Sequence, residues 1–349
     1  MRKLKIGNRL LGDGEACFLV AEAGINHGGN VEVAHRLIDA ASESGADAVK
    51  FQNYRTEDFL TDRSLRYAYA WGESIIEESQ YEMFLRCELP GAALAELRRH
   101  CEERDVVFFS TPTSYETLAE LVDSGAPLLK NGSDFIGHLP LIRAMAETGL
   151  PTVLSTGMAT IEEIADAVGA FREAGGAGLV LLHCTSAYPT APEDVHLKKI
   201  QSLRNTFECL VGFSDHSDGS VAALGAVALG ACMVEKHFTL DRHEQGPDHR
   251  FSADPDGFLE LSRAVRTLEK ELGHGNLGPT DAEMAGRADY RLSCVAARAL
   301  PEGHRLTRAD IAFHRPGTGM PPKDVDDLIG KRLMHSVPSN HPFRRADLS

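Results

Sequence analysis

The sequence predicts an α/β fold: a (β/α)8 TIM barrel followed by a small, turn-rich C-terminal domain. Three observations carry the prediction. Short β-branched or apolar runs recur about eight times in roughly 250 residues, each run is followed by a helical pattern, and each ends in polar side chains. A doubly wound open sheet is the competing architecture, and it usually has fewer strands. The barrel is assigned residues 1–283 and the small domain residues 284–349.

The first run, Phe18 to Gly24, carries Glu22, and the second, Ala48 to Gln52, carries Lys50 and Gln52. The third, Val106 to Thr111, ends in Ser110 and Thr111. The fourth, Leu128 to Ser133, brings Lys130 and Ser133. Ser155 and Thr156 close the fifth, Thr152 to Gly157, and Thr185 and Ser186 close the sixth, Leu179 to Ser186, with Tyr188 just beyond. The seventh, Leu210 to His216, holds Ser214 and His216, and the eighth, Met233 to His237, ends in Lys236 and His237. Helices are expected over Val31 to Ser44, Leu94 to Glu103, Ile161 to Ala174 and Gly219 to Gly230, where the apolar period and the end residues agree.

One connection departs from an ordinary βα loop. Tyr54 to Leu89, with Tyr67, Tyr69 and Trp71, is long enough to be an active-site cover with helical content, or a structural flap. Near Asn276 to Arg287 the strand–helix rhythm gives way to a linker. The segment after it is rich in turns, with short strands, little room for helix and too few residues for a large core of its own.

Composition narrows the function. A hydrophobic share of 43% supports a sizeable core, and a net charge of −15 opposes binding to nucleic acid or to an anionic membrane, both of which need a positive field. No apolar stretch resembles a signal peptide or a membrane span, so a cytoplasmic protein is expected. Seven cysteines without CxxC spacing argue for reduced, mostly buried thiols.

In a barrel the strand ends share one catalytic face. Lys50 and Lys130, with the hydroxyls of Thr111, Ser133, Ser155, Ser186 and Ser214, would make a cradle for phosphate and carboxylate. His216 and His237 would offer two imidazoles to a divalent metal able to polarise a carbonyl. Taken singly, each residue has a plainer role: a paired lysine, a helix-capping serine, a core histidine. The positional alignment of the set carries the argument.

At this point several segments resemble the sialic acid (N-acetylneuraminate) synthases and their legionaminic and pseudaminic acid relatives. They include Ala21-Glu22-Ala23-Gly24-Ile25-Asn26-His27, Leu154-Ser155-Thr156-Gly157-Met158, Gly212-Phe213-Ser214-Asp215-His216 and Glu235-Lys236-His237-Phe238. The C-terminal segment is similar to the antifreeze-like SAF domain, including Arg315-Pro316-Gly317. The resemblance implies condensation of phosphoenolpyruvate with an N-acylated amino sugar, giving a nonulosonic acid and phosphate. It implies that His216 and His237 hold Mn²⁺, with Mg²⁺ or Co²⁺ as alternatives. It also implies that Lys50, Thr111, Lys130, Ser133, Ser155, Ser186 and Ser214 surround phosphoenolpyruvate. Glu22, Gln52, Tyr188 and Asp248 would contact the sugar, Glu22 managing a proton there, with Glu22, Lys50 and His237 as catalytic residues. Arg315 would reach the N-acyl group from a second subunit in a domain-swapped homodimer. One departure is Phe135, where the family's Lys-x-x-Ser-Gly-Glu pattern has an acid. A Schiff-base aldolase using Lys50 or Lys130, a catalytically lapsed sugar binder, and ice binding by the small domain are the alternatives.

Overall fold

A computed structural model of the chain describes residues 2–72 and 74–349. It divides into two compact units, Met1–Gly273 and His274–Ser349.

The first unit contains the expected closed barrel of eight parallel strands. They are β1 (Phe18–Gly24), β2 (Ala48–Asn53), β3 (Val107–Pro112), β4 (Leu129–Asn131), β5 (Thr152–Ser155), β6 (Leu179–Cys184), β7 (Leu210–Asp215) and β8 (Met233–His237). Sheet neighbours are chain neighbours, and β8 closes the ring on β1. Four strands stop earlier than the sequence suggests. Ser133, Gly157, Ser186 and His216 lie just past the ends of β4, β5, β6 and β7, and Ser133 opens a 3-10 turn, Ser133–Phe135. Leaving the ladder places these groups on loops at the C-terminal mouth, where barrel chemistry sits.

The surrounding helices follow from local signals. Val31–Glu43 is capped by the Asn30 side chain, which accepts from the amides of Glu32 and Val33, and buries Ala34, Leu37, Ile38 and Ala41 on one stripe. Ile161–Glu173 starts with a reciprocal Thr160/Glu163 capping box.

An N-terminal hairpin, Lys3–Ile6 with Arg9–Gly12, was not anticipated. Ile6 and Leu11 are fully buried and pack with Phe18, Val107, Leu210 and Met233 at the strand starts. Burying two such side chains contributes about 1.5–3 kcal/mol each. The hairpin therefore stops the mouth opposite the chemistry. The long connection after β2 has the expected helical content in the short helices Thr56–Phe59 and Gln80–Arg86, and adds an antiparallel hairpin, Arg66–Trp71 with Ser74–Ser79, that the sequence did not suggest. Trp71 Nε1 donates to the His243 carbonyl at 2.9 Å, which ties the hairpin to the loop after β8.

In the second unit, a helix occupies Asp281–Tyr290, correcting the linker expected at Asn276 to Arg287. Its Thr280/Glu283 capping box supplies the start signal, and the helix contains both residues 283 and 284, between which the sequence reading divides the chain. Beyond it, Ser293–Ala296 pairs with Ile311–His314 over a small core that includes Cys294, Leu306, Leu328 and Phe343. All seven cysteines are free and buried. Among the described residues, no helix is long and apolar enough to cross a membrane.

Candidate active site

Side chains alternate across a strand, so residues two apart share a face. In β8 this puts Glu235 with His237, and register pairs Glu235 with Ser214 of β7 and His237 with Glu22 of β1. Lys236, between them, belongs to the other face. Its Nζ is 2.8 Å from Asp215 Oδ2 and donates to the Ser217 carbonyl at 2.8 Å. Strand-end position alone groups Lys236 with the cavity residues, and the alternation removes it.

Inside the barrel four charged side chains form one buried chain. Lys50 Nζ lies 2.7 Å from Glu22 Oε2 and 3.8 Å from Glu235 Oε2, and Lys130 Nζ lies 3.2 Å from Glu235 Oε1. Ser214 Oγ donates to Glu235 Oε1 at 2.9 Å, Lys50 donates to Thr111 Oγ1 at 3.2 Å, and Gln52 Nε2 donates to Glu22 Oε1 at 3.2 Å. Burial favours the neutral form of each group, and the neighbours decide the outcome. Glu22 is raised by burial, which outweighs the attraction of Lys50. Glu235 is pulled the other way: burial alone would raise it, but Lys130 and Lys50 together hold it down to about 2. Lys50, despite burial, is held above its ordinary value by Glu22 and Glu235.

At the rim, the imidazoles of His216 and His237 stand with ring centroids 5.4 Å apart. His216 Nδ1 meets the Thr185 carbonyl at 2.8 Å, which makes Nδ1 the donor, and Nε2 keeps its lone pair 3.5 Å from Ser214 Oγ, whose proton goes to Glu235. His237 Nδ1 is buried without a hydrogen-bond partner, 3.6 Å from Asp248 Oδ2. Burial holds His237 well below the usual imidazole range, so it is neutral, the form that ligates a metal. Burial, then the Glu22 charge, pushes Asp248 up to about 7. The orphaned nitrogen and the free lone pair fit a divalent cation.

Two glycines mark where ligand atoms belong. A Cβ on Gly157 would collide with Ser186 Oγ and stand 2.6 Å from Ser133 Oγ, so both hydroxyls converge over its backbone. The Gly157 amide donates to Ser133 Oγ at 3.1 Å, and Ser186 Oγ has no partner. Ser155 is buried nearby at the end of β5. Gly24, at φ +52°, lies where Glu22, Gln52 and Asp248 meet; its Cβ would be 3.3, 3.5 and 3.6 Å from their side-chain atoms. The Tyr188 ring centroid lies 4.3 Å from that of His216, tilted, and 6.0 Å from that of His237, edge-on, on the same rim.

The sequence matches the NeuB family over residues 37–277 and the SAF domain over residues 293–349. The chain belongs to the NeuB family. It is 36% identical over 326 residues to an N,N'-diacetyllegionaminic acid synthase of Legionella pneumophila, covering 92% of both chains. It is 35% identical over 315 residues to the N,N'-diacetyllegionaminic acid synthase of Campylobacter jejuni, covering 90% of this chain and 94% of that one. Among solved structures it resembles an N-acetylneuraminic acid (sialic acid) synthetase from Leptospira borgpetersenii, with a TM-score of 0.74, 34% identity and coverage of 81% and 94%. This NeuB-family protein is accordingly an enzyme of the sialic acid synthase type.

The barrel of this NeuB-family protein brings together the site residues read from its sequence, apart from Lys236, which faces away, and Arg315. That residue lies in the second unit, its guanidinium 5.5 Å from the centroid of the Tyr290 ring. Sequence reading missed Glu235, the hub of both lysines, although its place two residues before His237 was a signal. It also missed Cys184, whose thiol accepts from Ser133 Oγ at 3.5 Å and lies 3.8 Å from His216 Nδ1. Phe135 packs against the Phe59 and His138 rings, 6.5 and 6.2 Å away. The preceding Asp134 puts a carboxylate near both lysines; burial raises it, and Lys130 and Lys50 act against that.

Proposed function

We propose that this protein condenses phosphoenolpyruvate with an open-chain N-acylated amino sugar, N-acetylmannosamine or a 2,4-diacetamido analogue, to give a nonulosonic acid and phosphate. The observation that carries the reading is the buried Glu22–Lys50–Glu235–Lys130 chain, with a hydroxyl cradle on one side and two histidines on the other.

Lys130, Lys50 and the hydroxyls of Thr111, Ser133, Ser155, Ser186 and Ser214 bind the phosphate and carboxylate of phosphoenolpyruvate. Fixed positive charge offsets the repulsion of the anion, and the hydroxyls orient it. Glu22, Gln52, Asp248 and Tyr188 hold the sugar with its aldehyde carbon facing C3 of the enol. A divalent ion, Mn²⁺ first among Mg²⁺ and Co²⁺, held by His216 and His237 would polarise the aldehyde oxygen. Attack by C3 forms the new carbon–carbon bond and leaves cationic character at C2. Water adds at C2 and loses a proton, and the C2–O bond to phosphate then breaks to leave the 2-keto acid. Glu22, whose pKa burial raises, delivers a proton to the former aldehyde oxygen.

Arg315 of a second subunit is assigned to the N-acyl end, which makes the working form a domain-swapped homodimer, and the activity is assigned to the cytoplasm. A Schiff-base aldolase on Lys50 is disfavoured because Glu22 and Glu235 keep Lys50 protonated, and an ammonium has no lone pair to attack a carbonyl. The test is phosphate release from phosphoenolpyruvate with Mn²⁺, across N-acylated mannosamine-type and diacetamido sugars, with and without chelator. Release that needs both sugar and metal, and is lost in His216→Ala and His237→Ala proteins that remain folded, is expected. Chelator-resistant turnover with covalent trapping by borohydride would establish the aldolase instead.

A further inference from the structure

The second unit contains an internal repeat in which one substitution changes the chemistry. Residues 298–311 and 335–348 align without a gap. Pro301 matches Pro338, His304 matches His341, and Arg308-Ala309-Asp310 matches Arg345-Ala346-Asp347. The folds match as well. Gly303 and Asn340 hold equivalent left-handed positions, at φ 75° and 66°, and each copy ends in a 3-10 turn, Arg308–Asp310 or Arg345–Asp347. In the first copy His304 Nε2 is 3.0 Å from Asp310 Oδ2; in the second His341 Nε2 is 3.0 Å from Asp347 Oδ2. A backbone amide also reaches each carboxylate, from Thr307 at 3.0 Å and from Arg344 at 2.8 Å.

The copies differ at the residue that balances the charge. Asp310 has the Arg298 guanidinium 2.6 Å from Oδ1, a permanent cation. At the equivalent position the second copy has His335, with Nε2 3.3 Å from Asp347 Oδ1. An ordinary imidazole is mostly neutral at pH 7 and carries a lone pair where the guanidinium had only donors. Asp347 is thus a buried carboxylate with two imidazole nitrogens aimed at it and, among the described residues, no arginine within ion-pair distance. Among the described residues, this is the one group of three or more His, Cys, Asp or Glu side chains whose ligand atoms lie within 4.8 Å of one another.

We propose that His335, His341 and Asp347 form a site for a transition-metal dication, zinc above all, which supplies the charge that Arg298 supplies in the first copy. Bonds of about 2.0–2.1 Å to tetrahedral zinc put neighbouring ligand atoms roughly 3.3 Å apart. The existing nitrogen–oxygen separations, 3.0 Å from His341 to Oδ2 and 3.3 Å from His335 to Oδ1, are close to that spacing, and the three ligand atoms lie within 4.8 Å of one another. His335 is exposed and free to swing the remaining distance, and it leaves the fourth position open to water. Two imidazoles and one carboxylate suit zinc, cobalt or nickel, whereas calcium and magnesium demand a shell of oxygens. The ion would staple the last turn of a unit with a small core, adding stability by binding the folded form alone.

The test is equilibrium dialysis of the full chain, without an added histidine tag, against micromolar Zn²⁺, followed by elemental analysis. The proteins compared are wild type, His335→Arg, which gives the second copy the first copy's composition, and His304→Ala as the matched control. The same set is made in a His216→Ala/His237→Ala background, which silences the barrel histidines. His335→Arg is expected to lower bound zinc by about one ion per chain in both backgrounds, and His304→Ala to leave it unchanged. Co²⁺ loading of the silenced background is expected to give a tetrahedral visible absorption that His335→Arg abolishes. Equal zinc in wild type and His335→Arg would overturn the proposal, as would a silenced background that takes up none while folded; either result would leave the histidines as simple hydrogen-bond partners of Asp347.

Discussion

Glu235 sits between two ammonium groups, and replacing it with glutamine tests whether the barrel depends on that carboxylate for its stability as well as its chemistry. Glu235→Gln preserves size and one acceptor for Ser214 but removes the charge 3.2 Å from Lys130 and 3.8 Å from Lys50. A carboxyl held at about 2 rather than 4.5 corresponds to differential stabilisation on the order of 3 kcal/mol. That agrees with the roughly 3–5 kcal/mol lost when one partner of a buried pair is removed. Because the folded value is depressed, this stability is present above pH 4.5 and is lost as pH falls toward 2. Denaturant unfolding of metal-free wild type and Glu235→Gln, followed by far-UV circular dichroism, is therefore expected to differ by about 3 kcal/mol at pH 7, to narrow below pH 4.5 and to converge only as pH falls through 2. A deficit below 1 kcal/mol at pH 7, or one that does not change with pH, would refute the view that the lysines hold Glu235 ionised.

Further tests address the cradle, the small unit and the swapped arginine. Gly157→Ala forces the Ser133 and Ser186 hydroxyls apart, so KM for phosphoenolpyruvate is expected to rise about tenfold with KM for the sugar unchanged, the loss of about one hydrogen bond; equal KM values would remove the phosphate from that cradle. In the second unit burial would raise Asp310, but His304, Thr307 and Arg298 hold its carboxyl well below the usual range, so Asp310→Asn is expected to destabilise that unit at neutral pH. The deficit would shrink as pH falls below 3.8, and thermal melts at pH 7 and pH 3 check it. For Arg315→Ala the expectation is sugar affinity weakened tenfold or more, with phosphoenolpyruvate binding retained, by calorimetry.

The barrel was legible because strands of a parallel sheet are buried on both faces and so appear as short apolar runs. Their ends were less so: Ser133, Ser186 and His216 continue the run in sequence but leave the ladder in space. Glu235 escaped notice because attention to strand termini overlooked the period of two that joins it to His237. The N-terminal hairpin was invisible because Lys3 to Gly12 mixes charge with four apolar residues, and only contact with the strand starts shows that Ile6 and Leu11 are core. The helix Asp281–Tyr290 has a legible cap but no buried residue, so its sequence carries no apolar stripe to find. Asp248 and Arg315 came from resemblance; no spacing in the chain points to either.

The hydrogen bond from Trp71 to the His243 carbonyl makes the protein its own optical gauge. The chain holds a single tryptophan, so every photon of indole emission originates on the hairpin above the barrel. The same loop runs on to Asp248, beside Glu22 and Gln52. On the proposed function, a sugar bound there is expected to change this emission, so a fluorescence titration with each sugar in turn would rank the acceptors before any product is made.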